Sequence, residues 1–125
     1  MSPFSVLIAD DNADLGWLLA GILRREGVAV DVCQDPDIAI ENSSRNDYDA
    51  IVVEPNPAAG FRMLLDYLDA HRSDKLHTVI VATTEKDSYL NSEWTKRGVF
   101  RILEKPLTPK VVRETVMACA ANHLS

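Results

Sequence analysis

Five short apolar runs recur along the chain, and each is followed by a stretch whose apolar residues return with helical spacing. The runs are Ser5 to Ala9, Val28 to Cys33, Ala50 to Val53, Thr78 to Ala82 and Val99 to Leu103. They are too short for buried helices and rich in Val and Ile, so they read as strands. The first helix is expected from about Ala13 to Glu26, where Leu15, Leu18, Leu19, Ile22 and Leu23 follow the i, i+3, i+4, i+7 pattern. Asn12 reads as its N-cap and Gly27 as its terminating glycine. Asp35-Pro36 opens a second, short helix that the weak helix formers Asn42-Ser43-Ser44 and Asn46 disfavour. A third helix is expected from Gly60 to about His71 on Phe61, Leu64, Leu65 and Leu68. A fourth runs from about Asp87 to Arg97 with Leu90 and Trp94 four apart, and a fifth from Thr108-Pro109 to about Asn122. Strict alternation implies an α/β fold, a doubly wound five-stranded parallel sheet covered on both faces, which also accounts for strands that are apolar throughout.

Composition narrows the class of protein. A chain of 125 residues is expected to form one domain spanning residues 1–125. Hydrophobic residues at 46% and charged residues at 26% suit a soluble protein with a proper core. No apolar run approaches the roughly 20 residues of a membrane span. Met1-Ser2-Pro3-Phe4 has neither a basic region nor a long apolar stretch, so a cytoplasmic protein without a signal peptide is expected. A net charge of −6 with scattered Lys and Arg argues against direct nucleic-acid binding. Cys33 and Cys119 stand singly in apolar segments and read as buried, reduced thiols.

Polar residues collect where the runs end. Asp10-Asp11 follow the first run, Glu54 the third and Thr83-Thr84 the fourth, while Lys105-Pro106 close the fifth after Glu104. Parallel sheets bind ligands beyond the carboxyl ends of their strands, near the point where strand order reverses. Two adjacent carboxylates repel. Either a hard divalent cation such as magnesium offsets that repulsion, or the positive end of the following helix does. The pair alone leaves both open; Glu54 and Lys105 beside it favour the metal site. An ammonium within about 4–6 Å of Glu54 would favour its ionised form.

In order and spacing these residues resemble the receiver domain of bacterial two-component response regulators, over nearly the whole chain. Asp10-Asp11 match that family's metal-binding acid pair, and Tyr48-Asp49 with the run after it match the approach to the phosphoacceptor. Thr83 matches the hydroxyl that contacts the phosphoryl group on activation. Lys105-Pro106 match a lysine-proline pair whose peptide bond is usually cis, which makes Pro106 a cis-proline candidate. The resemblance implies a flavodoxin-like (βα)5 fold with strand order 2-1-3-4-5. It implies phosphorelay signalling rather than enzymatic turnover, weak magnesium binding, and a histidine kinase or an output domain as partner.

The departures are as informative. The acceptor position holds Glu54 where the family has aspartate; glutamate there is the substitution commonly used to imitate the phosphorylated state. It carries one negative charge against about two for a phosphate. The next loop, Pro55-Asn56-Pro57, is shorter and stiffer than the family's, which casts doubt on the backbone carbonyl of Asn56 as third metal ligand. Ile102 replaces the family's aromatic switch, and Thr84 stands where a smaller residue is common.

Helical geometry places Trp17 opposite the apolar stripe of the first helix, exposed as a contact anchor or lying flat beside Arg24. Tyr89, Trp94 and Ile102 complete the candidate interaction surface, and the resemblance implies a possible homodimer through the fourth helix, fifth strand and fifth helix. The leading expectation is an atypical receiver that works through protein contact, with no direct nucleic-acid or membrane partner. A conventional receiver phosphorylated on Glu54 with magnesium is the alternative. A small magnesium-dependent phosphatase is a remote one, because Asp10 and Asp11 are adjacent rather than two apart.

Overall fold

The structure is a computed structural model that describes residues 4–55, 60–84 and 88–122, without the side chains of 88–91. Ten elements alternate: β1 (Ser5–Ala9), α1 (Ala13–Arg25), β2 (Ala29–Cys33), α2 (Pro36–Arg45), β3 (Ala50–Val53), α3 (Arg62–His71), β4 (Val79–Thr83), α4 (Ser88–Arg97), β5 (Arg101–Glu104) and α5 (Pro109–Asn122). A 3-10 helix, Ser73–Thr78, leads into β4. The strands form one parallel sheet in the order β2-β1-β3-β4-β5, as expected. The order reverses between β1 and β3.

Local chemistry sets the helix ends. The Asn12 side chain accepts the Leu15 N–H (3.1 Å) and Asp35 that of Asp37 (2.8 Å), with Pro36 at the first position of α2. Each satisfies an amide that has no partner inside its helix. Thr108 Oγ1 does the same for the Val111 N–H at the start of α5. Beyond α1 the chain turns through Gly27 at φ +82°, a conformation that a Cβ disfavours.

Side chains alternate across the sheet. Leu7, Ala9, Ile51, Val53, Val79 and Val81 face one core with Ala39 of α2, Leu64, Leu65 and Leu68 of α3 and Trp94 of α4. Val6, Ile8, Val52, Ile80 and Ala82 face the other with Leu19, Ala20 and Leu23 of α1 and Val112, Val116 and Cys119 of α5. Burial on both faces is what anchors the central strands.

Three expectations are corrected. The edge strands are not apolar throughout: Ala29 and Asp31 of β2 and Arg101 and Glu104 of β5 are exposed, since an edge strand is only half covered. Leu18, assigned to the inner stripe of α1, is 58% exposed. The buried residues of α1 are Gly16, Leu19, Ala20 and Leu23. Small residues let the helix lie close, and a Cβ on Gly16 would meet Val32 Cγ1 at 3.0 Å. Trp94, expected on a contact surface, is 4% exposed and belongs to the core over α3. The Arg62 and Arg97 guanidinium groups lie over its ring, 5.8 and 4.8 Å from the ring centre, a cation–π arrangement.

Candidate functional site

The register of the sheet creates the site. Ala9 of β1 pairs with Val53 of β3, so the next residues, Asp10 and Glu54, leave the sheet side by side at the reversal point. The Glu54 N–H donates to the Ala9 carbonyl (3.1 Å) and the Asp10 N–H to the Cys33 carbonyl (3.2 Å), carrying the ladder one residue beyond the strands. Across the sheet, Thr83 pairs with Glu104, and the Lys105 N–H donates to the Thr83 carbonyl (2.8 Å). The Lys105–Pro106 peptide bond is cis, as the sequence suggested.

The Lys105 ammonium closes this pocket. Its Nζ donates to Asp10 Oδ2 at 2.7 Å and lies 3.1 Å from Glu54 Oε2. The first is a charge-assisted hydrogen bond. The second is an ionic approach without hydrogen-bond alignment, so Oε2 has a cationic neighbour but no directed donor. Both carboxylates are 4% exposed. The other oxygen of Asp10, Oδ1, accepts the Asn12 N–H (2.9 Å), which fixes the carboxylate's orientation at the start of α1. Asp11 is exposed at the rim.

Burial pushes the Glu54 carboxyl above its ordinary range; Lys105 pulls it back in part, and the charges of Asp10 and Asp11 add to the rise. For Lys105, burial disfavours the ammonium but is outweighed by Asp10 and then Glu54, so the amine is held above the usual lysine value. Two acids thus share one base, and the base leans towards Asp10.

The donor set does not fit a divalent ion as it stands. Both Asp10 oxygens are engaged, and Glu54 Oε2 faces the same ammonium. Among the described residues no three acidic, histidine or cysteine side chains are grouped to hold a metal. Asn56, the suggested third ligand, lies outside the described residues.

An open cleft of about 530 Å³ lies over the pocket, lined by Asp11, Asn12, Leu15, Glu54, Thr84, Lys105, Pro106 and Leu107. The structure therefore brings Asp10, Asp11, Glu54, Lys105 and Pro106 together. Thr83 is 2% exposed at the end of β4, and its exposed neighbour Thr84 lines the cleft instead. Ile102 is partly buried against the core. Trp17 is 58% exposed with the Arg24 guanidinium 5.8 Å from its ring centre. The side chain of Tyr89 is outside the described residues. Sequence reasoning missed Leu15 and Leu107 as the apolar wall of the cleft, and the Asn12 amide that orients Asp10. The position of Asn12, two residues past Asp10 at a helix start, was the available signal.

A five-stranded doubly wound sheet with two buried acids and a lysine meeting at its carboxyl edge defines a class of α/β domain, and comparison with known proteins makes the class specific. The family model described as the response regulator receiver domain matches residues 6–117. The chain belongs to that family. Solved structures agree in fold. A two-component response regulator from Clostridium difficile has a TM-score of 0.81 at 21% identity, with 98% of this chain and 99% of that chain covered. An orphan response regulator of H. pylori has a TM-score of 0.80 at 19% identity, with coverage of 95% and 98%. A chemotaxis response regulator of Vibrio cholerae has a TM-score of 0.77 at 23% identity, with coverage of 94% and 98%. A search of the curated proteins found no match.

Proposed function

We propose that this receiver domain signals through protein–protein contact without taking up a phosphoryl group, with Glu54 imitating the phosphorylated acceptor. One observation carries the reading: the Glu54 carboxylate already reaches the Lys105 ammonium, at 3.1 Å. In the family the resemblance implies, lysine at this position contacts the phosphoryl group, and a permanent carboxylate occupies that partner. A carboxylate is a weaker ligand than a phosphate, having one charge rather than about two. Lys105 accordingly stays shared with Asp10. The domain acts as a binding module, not an enzyme, and magnesium associates with it weakly.

Partners are signalling proteins of the two-component class, a histidine kinase or an output domain. Trp17 and Leu18, adjacent on α1 and both 58% exposed, are the apolar residues best placed to anchor one. The face formed by α4, β5 and α5 lacks Trp94, which packs inward, and keeps Val111 at 40% exposure. A homodimer through that face would therefore not use Trp94. Phosphorylation of Glu54 is the second reading. The extra methylene works against it by moving the attacking oxygen, and an offset of about 1 Å is costly for group transfer.

The test is intact-mass spectrometry after incubation with acetyl phosphate and magnesium. The wild-type chain is expected to stay unmodified at Glu54, with Glu54→Asp as the comparison in which an aspartate is restored. Stoichiometric phosphorylation of wild-type Glu54 would overturn the proposal.

A further inference from the structure

We propose that α1 packs antiparallel against α1 of a second copy of this chain, through the face of Asp14, Leu18, Gly21 and Arg25, to form a weak twofold dimer. The inference goes beyond the proposed function, since it concerns the outer surface of α1 and does not depend on what Glu54 does.

The buried residues of α1, Gly16, Leu19, Ala20 and Leu23, fix the side of the helix that meets the sheet. At about 100° per residue, Asp14, Leu18, Gly21 and Arg25 lie within about 30° of the opposite direction. All four are exposed, Leu18 at 58%. Charged residues and strong helix formers belong on such an outer face. A leucine there serves no packing within the chain. Glycine is a poor helix former, and among the described residues nothing lies within 4 Å of where a Gly21 Cβ would stand. Gly16 is required by its closeness to Val32, whereas no contact inside the described chain requires Gly21. Bare backbone beside an exposed leucine suits the close approach of another helix, at the lower end of the usual separation of about 8–10 Å.

The charges identify that helix as a second α1. Asp14 lies in the first turn and Arg25 in the last, so the face is acidic at one end and basic at the other. Turned end for end about a twofold axis level with the Leu19–Ala20 peptide, the face complements itself. Asp14 then meets Arg25 at both ends, and Leu18 of each copy sits over Gly21 of the other. The two Trp17 rings flank one side of the seam and the two Ile22 side chains the other. A self-complementary contact of this kind is the ordinary geometry of a homodimer. Parallel pairing would instead set Asp14 against Asp14 and Arg25 against Arg25. The face is about 16 Å long, too short to bury the roughly 800 Å² per partner of a stable interface, so the dimer is weak. It covers Trp17 and Leu18, and a signalling partner that uses them must compete with the second copy.

Sedimentation equilibrium of the full chain between about 10 and 500 μM tests this, with circular dichroism confirming that each variant is folded. Wild type is expected to show a monomer–dimer equilibrium with Kd of about 50–300 μM. Leu18→Glu should weaken pairing at least about tenfold. Gly21→Ala should raise Tm by about 2–4 °C, because alanine favours the helix and its Cβ has room, yet weaken pairing at least about threefold. Asp14→Arg and Arg25→Asp should each weaken pairing, and an equal mixture of the two should recover it, since each then meets its opposite charge. A wild-type chain that stays monomeric to about 500 μM would overturn the inference and leave the face to an unlike partner. So would a dimer indifferent to Leu18→Glu, as one formed through α4, β5 and α5 would be. A Gly21→Ala chain that pairs as tightly as wild type, or a charge-swapped mixture that pairs no better than its components, would overturn it too. No phosphoryl donor is present, so failure here is distinct from phosphorylation of Glu54, which the mass measurement reads.

Discussion

Replacing Lys105 with methionine removes the only cation in contact with Asp10 or Glu54 among the described residues and leaves two carboxylates, each 4% exposed, facing each other. Stranding a buried charge costs about 3–5 kcal/mol when the group has no escape. Glu54 has one, because it can take a proton. At pH 7 a carboxyl of ordinary value 4.5 would need two and a half pH units of work, about 3.4 kcal/mol at roughly 1.4 per unit. Glu54 already titrates above that value, so its protonation costs less. The variant should therefore lose about 2–3 kcal/mol at pH 7. The sign of the pH dependence follows. A carboxyl whose folded value is raised contributes stability that is present below its unfolded value and lost as pH rises through the folded one. The penalty should thus shrink to about 1 kcal/mol or less at pH 5. Urea unfolding followed by tryptophan fluorescence at the two pH values reads the difference, since Trp94 is buried in the folded chain. A loss below about 0.5 kcal/mol, equal at both pH values, or a larger loss at pH 5, would refute the reasoning.

The two tryptophans should behave oppositely under truncation. Trp94→Ala empties a core site covered by Arg62 and Arg97 and should cost about 3–5 kcal/mol in urea unfolding, whereas Trp17→Ala, on a side chain 58% exposed, should cost no more than about 1 kcal/mol for its contact with Arg24; equal costs would contradict the burial of Trp94. Both thiols should resist alkylation in the native chain at pH 8. Burial pushes the Cys119 thiol up to about 12 and raises that of Cys33, and reaction with iodoacetamide should need denaturant.

Much of the fold was legible because several signals agreed at each boundary. Asn12, Asp35-Pro36 and Thr108 cap helices as their residue types predict, and Gly27 takes the positive φ that ends α1. The errors have physical sources. The buried stripe of α1 includes Gly16 and Ala20, small residues that carry no hydrophobic signal yet set how closely the helix packs. Counting leucines alone therefore rotated the stripe and placed Leu18 inside. Trp94 was misplaced because its burial comes from tertiary packing against the core formed by β3, β4 and α3, which the pattern of its own helix does not report. At the site, spacing brought Lys105 to Glu54 but could not rank two carboxylates as partners. That ranking depends on the Asn12 amide, which turns Asp10 Oδ2 towards the lysine.

The pocket's closure on its own lysine is most directly tested by following the Lys105 side-chain amine through a pH titration by NMR. The account predicts a wild-type value above the ordinary 10.5, lowered more by Asp10→Asn than by Glu54→Gln, in keeping with contacts at 2.7 and 3.1 Å. An amine that titrates at or below the ordinary value, indifferent to both substitutions, would contradict it.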